Sequence, residues 1–260
     1  MTRLDVWLAE NGLAESREKA QALVIAGRVS VNGQRAAKPG TRVKEGTAVE
    51  VEPGPAHVGR GALKLSCALD AFGVVARERI AVDVGASTGG FTETLLARGA
   101  ARVYAVDVGH GQIHERLRTD ARVVVRDRTN ARNLSPEHVP EPCGIASVDV
   151  SFISARTILP ALRSVLAPGA DVMVLVKPQF EVGRLQVGRG GIVKEPALHR
   201  QALRDVAESA QVEGYAVRGA CASPVTGASG NREFFLHLVP GEAPLGPDEL
   251  ERLLRKAVAA

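Results

Sequence analysis

Apolar positions recur along this chain at helical spacing and in short strand-like runs, and a Pro/Gly-rich stretch divides it. At the N-terminal end Leu4, Val6-Trp7-Leu8 and Leu13 form a stripe at helical spacing. Ser16 is placed to cap a second helix over 17–26 that Gly27 ends, with Lys19 standing where a capping box would carry Glu. Val29-Ser30-Val31 reads as a strand, Asn32-Gly33 as a hairpin turn, and 41–43 and 48–51 as further short strands. Glu52-Pro53-Gly54-Pro55-Ala56-His57 is broken by Pro and Gly and reads as a linker.

After the linker, short apolar runs alternate with helical stripes. Strands are expected at 80–84, 102–106, 122–125, 145–149 and 171–177, and helices at 62–71, 91–98, 111–118, 155–166 and 197–212. Such alternation predicts an α/β fold. Two more strands, 215–222 and 233–239, end the pattern, the last returning after a turn as in a hairpin. A Pro/Gly stretch and a charged amphipathic helix over 247–258 follow. The expected organisation is a small α+β domain over 1–52, a linker over 53–59, a Rossmann-like domain over 60–240 and a tail over 241–260.

Composition narrows the setting. Apolar residues make up 45% but aromatics only 3%, so Ala, Val and Leu must build the core. No apolar run reaches the roughly 18 residues of a spanning helix, and Met1-Thr2-Arg3-Leu4-Asp5 lacks the apolar stretch of a signal peptide. A cytoplasmic protein that does not enter a membrane is expected, as a monomer. Cys67, Cys143 and Cys221 are far apart without a C-x-x-C pair, which argues against a zinc site or disulfide framework. No metal is expected. Residues 1–44 hold eight Lys/Arg and four acids, an excess of four that equals the +4 of the whole chain. That local excess suits a polyanion partner or a solvated surface.

The most informative segment is Asp83-Val84-Gly85-Ala86-Ser87-Thr88-Gly89-Gly90-Phe91-Thr92, a strand end, a tight turn and a helix start. Glycine lets backbone approach a ligand, and strand ends are where open α/β sheets bind them. The G-x-x-x-G-G spacing differs from the G-x-G-x-x-G that places a pyrophosphate on a helix, which disfavours a nucleotide-dependent oxidoreductase. An acid two residues before the first glycine suits a cationic ligand. S-adenosylmethionine carries a sulfonium and an amino group and no phosphate. Asp107 ends the next strand, where an acid can hold ribose hydroxyls. The expected cofactor set is Asp83, Gly85, Ala86, Ser87, Gly89, Gly90, Phe91, Asp107 and Asp127.

Four further ionisable residues border strands or turns: Lys64 after Gly59-Arg60-Gly61, Asp149 and Lys177 at strand ends, and Glu233 after the loop that ends Gly230-Asn231-Arg232. A lysine ending a buried apolar strand is costly unless paired. Asp149 and Lys177 can meet at the ligand face of a doubly wound sheet.

These motifs carry two resemblances. Arg3-Leu4-Asp5, Ser16-Arg17, Ala20, Gly27, Val29, Val31-Asn32-Gly33 and Lys38-Pro39 resemble the S-four-type (alpha-L) RNA-binding domain. The resemblance implies RNA contacts from Arg3, Arg17, Lys19, Arg28 and Lys38, in keeping with recognition through phosphates and 2′-hydroxyls. Nearly the whole chain, through Arg60-Gly61-Ala62-Leu63-Lys64-Leu65, the glycine turn, Asp149-Val150-Ser151-Phe152-Ile153-Ser154, Lys177-Pro178-Gln179-Phe180-Glu181 and Gly230-Asn231-Arg232-Glu233-Phe234, is similar to the TlyA-type (hemolysin-like) family of ribosomal RNA 2′-O-methyltransferases, whose catalytic domain is FtsJ/RrmJ-like. That resemblance implies S-adenosylmethionine as methyl donor, cytidine in ribosomal RNA or a ribosomal subunit as acceptor, and a catalytic tetrad of Lys64, Asp149, Lys177 and Glu233. It departs at Pro55-Ala56-His57-Val58, where some members carry Arg-x-Trp-Val, and at Gly59, where serine is usual. The rival readings are a non-catalytic RNA-binding assembly factor and a membrane-lytic protein. The intact tetrad opposes the first, and the mixed charge of the tail helix opposes the second.

Overall fold

The computed structural model describes residues 1–260 apart from Glu15, Ala26, Glu45, residues 52–58, Ala228 and the side chain of Ala22. The Pro55-Ala56-His57-Val58 departure and all of the expected linker except Gly59 lie outside the described residues. The chain forms two compact units, Met1–Ala56 and His57–Ala260.

In the first unit β1 (Thr2–Arg3) leads into α1 (Leu4–Glu10) and α2 (Arg17–Ile25), followed by β2 (Val29–Val31), β3 (Gln34–Arg35), β4 (Arg42–Val43) and β5 (Val49–Val51). β1 pairs with β4, and β2 lies between β3 and β5, all antiparallel. Local signals act as expected. Ser16 Oγ accepts the Lys19 N–H at 3.2 Å, capping α2. Gly27 (φ +70°) ends α2, its N–H on Val24 O and that of Arg28 on Leu23 O, a Schellman closure. Asn32 and Gly33 both have positive φ, as a two-residue hairpin turn demands. Leu4, Leu8, Ala20, Val24, Val29, Ala36 and Val43 form the core.

One carboxylate organises this unit. Asp5 is fully buried and accepts hydrogen bonds from Arg3 (3.0 and 2.9 Å), Arg17 (3.1 Å) and Gln21 (2.8 Å). The Arg3 guanidinium, with help from Gln21 and Arg17, holds the Asp5 carboxyl well below the usual carboxylate range against the opposing effect of burial. Asp5 thus ties β1, α1 and α2 together.

The second unit begins with α3 (Gly61–Phe72), β6 (Ile80–Val84), α4 (Gly90–Ala97), β7 (Arg102–Val106), α5 (Glu115–Arg118), β8 (Val123–Arg126) and β9 (Cys143–Val148). It continues with α6 (Leu159–Arg163), β10 (Leu166–Val176), α7 (Pro178–Glu181), α8 (Pro196–Val212), β11 (Tyr215–Ala222), β12 (Phe234–Pro240) and α9 (Pro247–Ala259). One seven-stranded sheet runs β11-β12-β10-β9-β6-β7-β8. The five strands from β10 to β8 are parallel, and β12 is antiparallel to both its neighbours. The order reverses at β6, between β7 and β9, which opens a crevice at the carboxyl ends there.

Alternation along the strands buries both faces. Val82, Val84, Val106, Val148, Val172 and Val174 face one cluster, which includes Leu159, Leu203 and Leu254 of the helices. Ala81, Val103, Ala105, Ile145, Met173, Leu175 and Phe235 face the other, with Leu65, Leu69, Phe91 and Leu95. Two expected helices are shorter than their periodicity suggested. The stretch 111–118 is helical only from Glu115, because Asp107 and Asp127 hold residues 109–111 in a loop. The stretch 155–166 splits into a 3-10 turn, Ala155–Thr157, and the short α6, after which β10 starts five residues early. Pro168 and Gly169 (φ +69°) lie within the resulting register shift between Leu166 and Asp171.

Asp5→Asn is expected to loosen the first unit alone, because it removes the charge that binds two guanidinium groups. Hydrogen exchange should show faster exchange for amides of α1 and α2 and no change in the second unit. Unchanged protection in α1 and α2 would mean that Asp5 is not the anchor.

Candidate active site

The turn after β6 is built by close approach. Gly85 has φ +84°, and a Cβ there would lie 2.3 Å from the Asp149 carbonyl oxygen. Gly89 (φ +100°) would meet Leu117 Cδ1 at the same 2.3 Å, and Gly90 would press on the Ala62 nitrogen at 3.1 Å. The N–H groups of Gly85 and Ala86 both reach the Val106 carbonyl. Asp107, just beyond β7, accepts from Ser87 N at 2.8 Å and Gly109 N at 2.6 Å.

Next to this turn lies a cavity of about 450 Å³, walled by Gly85, Ser87, Val106, Asp107, Val108, Gln112, the 129–132 segment and residues 149–153. A smaller one, about 140 Å³, runs from Gly59, Arg60 and Gly61 past Ala86, Thr88, Gly90 and Phe91. Gly85, Ser87 and Asp149 line both.

Three of the expected cofactor residues line neither cavity: Gly89, which lies against Leu117, and Asp83 and Asp127. Asp83 shares the Ala81 face of β6, so its side chain lies beneath α4 rather than in the crevice. Its carboxylate is fully buried and accepts from Thr92 Oγ1 at 2.7 Å and Ser147 Oγ at 2.9 Å. Burial pushes its carboxyl up to about 6, against the two hydroxyls. Asp127 accepts from Gly111 N at 3.0 Å and lies 3.0 Å from His110 Nδ1 and 3.6 Å from Arg118. The Gly111 N–H is the main cause holding its carboxyl below the usual range. It braces the 107–112 loop and does not line either cavity.

The four tetrad positions converge. Asp149 follows β9 and Lys177 follows the adjacent parallel β10. Glu233 precedes β12, and the antiparallel register Val176↔Phe234 brings that start to the same end of the sheet. Lys64, on the first turn of α3, reaches Glu233 Oε2 at 2.6 Å. Lys177 Nζ is paired with Asp149 Oδ1 and donates to Ser151 Oγ at 2.9 Å. Lys64 and Lys177 are 8% exposed and Glu233 3%. Such burial is tolerable because each ammonium faces a carboxylate. Gly227 leaves room for this: a Cβ there would come 2.4 Å from Glu233 Oε1.

An aromatic residue that periodicity did not single out completes the site. Phe152 is 88% exposed and has φ +66°, a left-handed conformation that is a genuine outlier for a bulky side chain. Its ring lies 5.2 Å from that of Phe180 on α7. Holding such a residue costs of order 1–3 kcal/mol and is typical of binding sites. Its signal in the sequence was its place three residues after Asp149, in a chain with few aromatics.

Of the expected RNA contacts in the first unit, Arg3 and Arg17 are bound to Asp5, although their side chains stay about half exposed, at 47% and 55%. Lys19 and Lys38 are exposed and Arg28 is half-buried.

Residues 57–239 match the family model described as FtsJ-like methyltransferase, and residues 2–49 match the S4 domain. The 16S/23S rRNA (cytidine-2'-O)-methyltransferase TlyA of Mycobacterium tuberculosis is 47% identical over 260 residues, covering 99% of this chain and 97% of that protein. Hemolysin A of Brachyspira hyodysenteriae is 38% identical over 239 residues, covering 91% of this chain and 99% of that protein. A solved structure from Streptococcus thermophilus, named as a hemolysin, has a TM-score of 0.74 at 42% identity and covers 98% of this chain and 95% of that one. Among the described residues no helix is long and apolar enough to cross a membrane.

The raised Asp83 carboxyl has a signed consequence. The folded state holds its proton up to about pH 6 while the unfolded chain releases it near 4, so Asp83 lowers stability as pH rises through that window. A carboxyl moved from about 4 to about 6 corresponds to about 3 kcal/mol. The stability of Asp83→Asn relative to wild type should therefore rise by up to about 3 kcal/mol between about pH 4 and 7. Urea unfolding across that range checks it, and a constant difference would mean that Asp83 titrates normally.

Proposed function

Because the chain belongs to the FtsJ-like methyltransferase family, we propose that it transfers the methyl group of S-adenosylmethionine to the ribose 2′-hydroxyl of a cytidine in ribosomal RNA. One observation carries the reading. Asp149 walls both cavities beside the glycine turn and also pairs with the buried Lys177. Donor pocket and acceptor chemistry therefore meet at one residue.

The residues present fit such a donor. Gly85 and Ser87 wall the larger cavity without crowding it, and Asp107 offers a carboxylate in a wall shared with Val106 and Val108. A carboxylate there accepts hydrogen bonds from ribose hydroxyls. Bound S-adenosylmethionine supplies an electrophilic methyl group carried on sulfur. The protein must present an activated oxygen in line with it. A ribose hydroxyl is a weak nucleophile, so a group within hydrogen-bond reach has to take or steer its proton. Lys177 serves as base when its amine is neutral, or steers the forming alkoxide as an ammonium, and Asp149 and Ser151 fix its position. Lys64 and Glu233 hold the ribose and balance the charge. Orientation of the two reactants contributes up to roughly 7–11 kcal/mol in such reactions. Phe152 offers its exposed ring as a platform for the target base, since aromatic stacking is how single-stranded bases are held.

We assign RNA capture to residues 1–52, of which 2–49 match the S4 domain and 1–44 hold eight Lys/Arg against four acids, and methyl transfer to residues 60–240. An enzyme of ribosomal RNA works in the cytoplasm.

Lys177→Ala is expected to lower turnover by at least about 100-fold while leaving calorimetric affinity for S-adenosylmethionine within a few-fold, because its interaction develops in the transition state. Asp107→Ala should do the reverse, weakening cofactor affinity by about 1.5–3 kcal/mol. Near-normal turnover in the first variant, or unchanged affinity in the second, would remove that residue from its role.

RNA capture by the first unit is best tested away from Asp5, since charge reversal at Arg17 would also unsettle the fold. Lys19→Glu with Lys38→Glu should weaken ribosomal RNA binding and flatten its logarithmic salt dependence by about 0.7–0.9 per lost phosphate contact. Cofactor affinity should not change. An unaltered slope would move RNA recognition off this unit.

A further inference from the structure

One buried carboxylate beside the site has no part in the proposed reaction. Glu181 closes α7, four residues beyond Lys177, and is 6% exposed. Its Oε1 accepts from Ala155 N at 2.7 Å, and its Oε2 accepts from Ser154 Oγ and lies 3.5 Å from Arg156 Nε. The Glu181 carbonyl accepts from Arg156 Nη2 at 3.4 Å. Ser154 Oγ also accepts from Arg156 N at 3.2 Å and from its Nε at 2.9 Å. Three consecutive residues, 154–156, are thus gathered on one side chain.

The other end of the same loop is held as well. Asp149 N donates to Val84 O at 2.9 Å, and Lys177 binds Asp149 and Ser151. Among the described residues, no backbone N–H from 150 to 153 finds a partner within the chain. The loop is thus tied at one end to Val84 and Lys177 and at the other to Glu181, while Val150 and Ile153 pack on the core and the Phe152 ring lies 5.2 Å from that of Phe180. Phe152 stands between the two ends in its left-handed conformation with its ring turned outward. A strained residue persists only where its surroundings over-determine it.

We propose that Glu181 is a positioning residue for the methyl acceptor: by fixing Ser154, Ala155 and Arg156 it holds Phe152 in its strained, outward pose to receive the target base. The inference rests on the reading of Phe152 as a base platform. Burial raises the Glu181 carboxyl, while Ser154 and Ala155 oppose that shift, so the loop and the carboxylate stabilise each other.

The test is a double-mutant cycle on the full chain, with S-adenosylmethionine and ribosomal subunits from a deletion strain as acceptor. Phe152→Ala, Glu181→Ala and the double variant are assayed for kcat and KM toward RNA, at a temperature where circular dichroism shows each folded. Phe152→Ala should lower kcat/KM by about tenfold, in the range for loss of one stacked base. Glu181→Ala should lower it to a similar extent, and the double variant should be no worse than Phe152→Ala alone. Glu181→Gln, which keeps an oxygen for Ala155 N, should recover most of the loss. Losses that multiply would overturn the inference and leave the platform standing, because Glu181 would then act independently of Phe152. Wild-type kcat/KM in Phe152→Ala would instead overturn the platform, and the inference with it. If Glu181→Ala does not fold, Ser154→Ala breaks the same clamp from the loop side and must show the same non-additivity.

Discussion

The active end of the second unit depends on one backbone contact. Gly85 and the Asp149 carbonyl approach so closely that a single added carbon would stand 2.3 Å from that oxygen. The contact locks the turn after β6 to the strand end that carries Asp149, across the point where the sheet order reverses. The two cavities share Gly85, Ser87 and Asp149 because this contact forms their common wall. A larger residue at 85 would have to move either the turn or the strand.

Around that contact the unit buries charge in pairs. Lys64 with Glu233 and Lys177 with Asp149 place two ammonium groups and two carboxylates at the carboxyl ends of neighbouring strands. A lone buried ammonium would be expelled or neutralised, whereas pairing offsets much of the desolvation and fixes each side chain. The geometry comes from the reversed direction of β12. Only an antiparallel strand beside β10 brings a residue that precedes a strand to the end where Lys177 follows one.

Acidic residues in ligand-like positions also serve as struts. From sequence Asp83 and Asp127 look available for a ligand, and Asp5 gives no sign of a special role. Asp83 joins β6, β9 and α4 through two hydroxyls, Asp127 braces the loop at 109–111, and Asp5 binds two of the arginines expected to face RNA. A carboxylate at a strand or helix end has acceptor capacity on every side. Which donor reaches it depends on what packs above.

Local pattern was enough to place most elements of this chain. Ser16, Gly27, Asn32-Gly33 and the alternating runs of β6, β7 and β9 act over a few residues, so their spacing reports the structure directly. The glycine turn and the places of the four tetrad residues were legible for a related reason: each borders the start or end of an element, and in an α/β fold such borders share a face. Tertiary structure decided the rest. It directed Asp83 inward and Asp127 onto a loop, cut short the helices expected over 111–118 and 155–166, and turned Phe152 outward in a conformation no propensity favours. It also gathered residues 154–156 on Glu181. These outcomes depend on partners far away in sequence and on which face of a strand or helix is covered, and neither is encoded within a window of neighbouring residues.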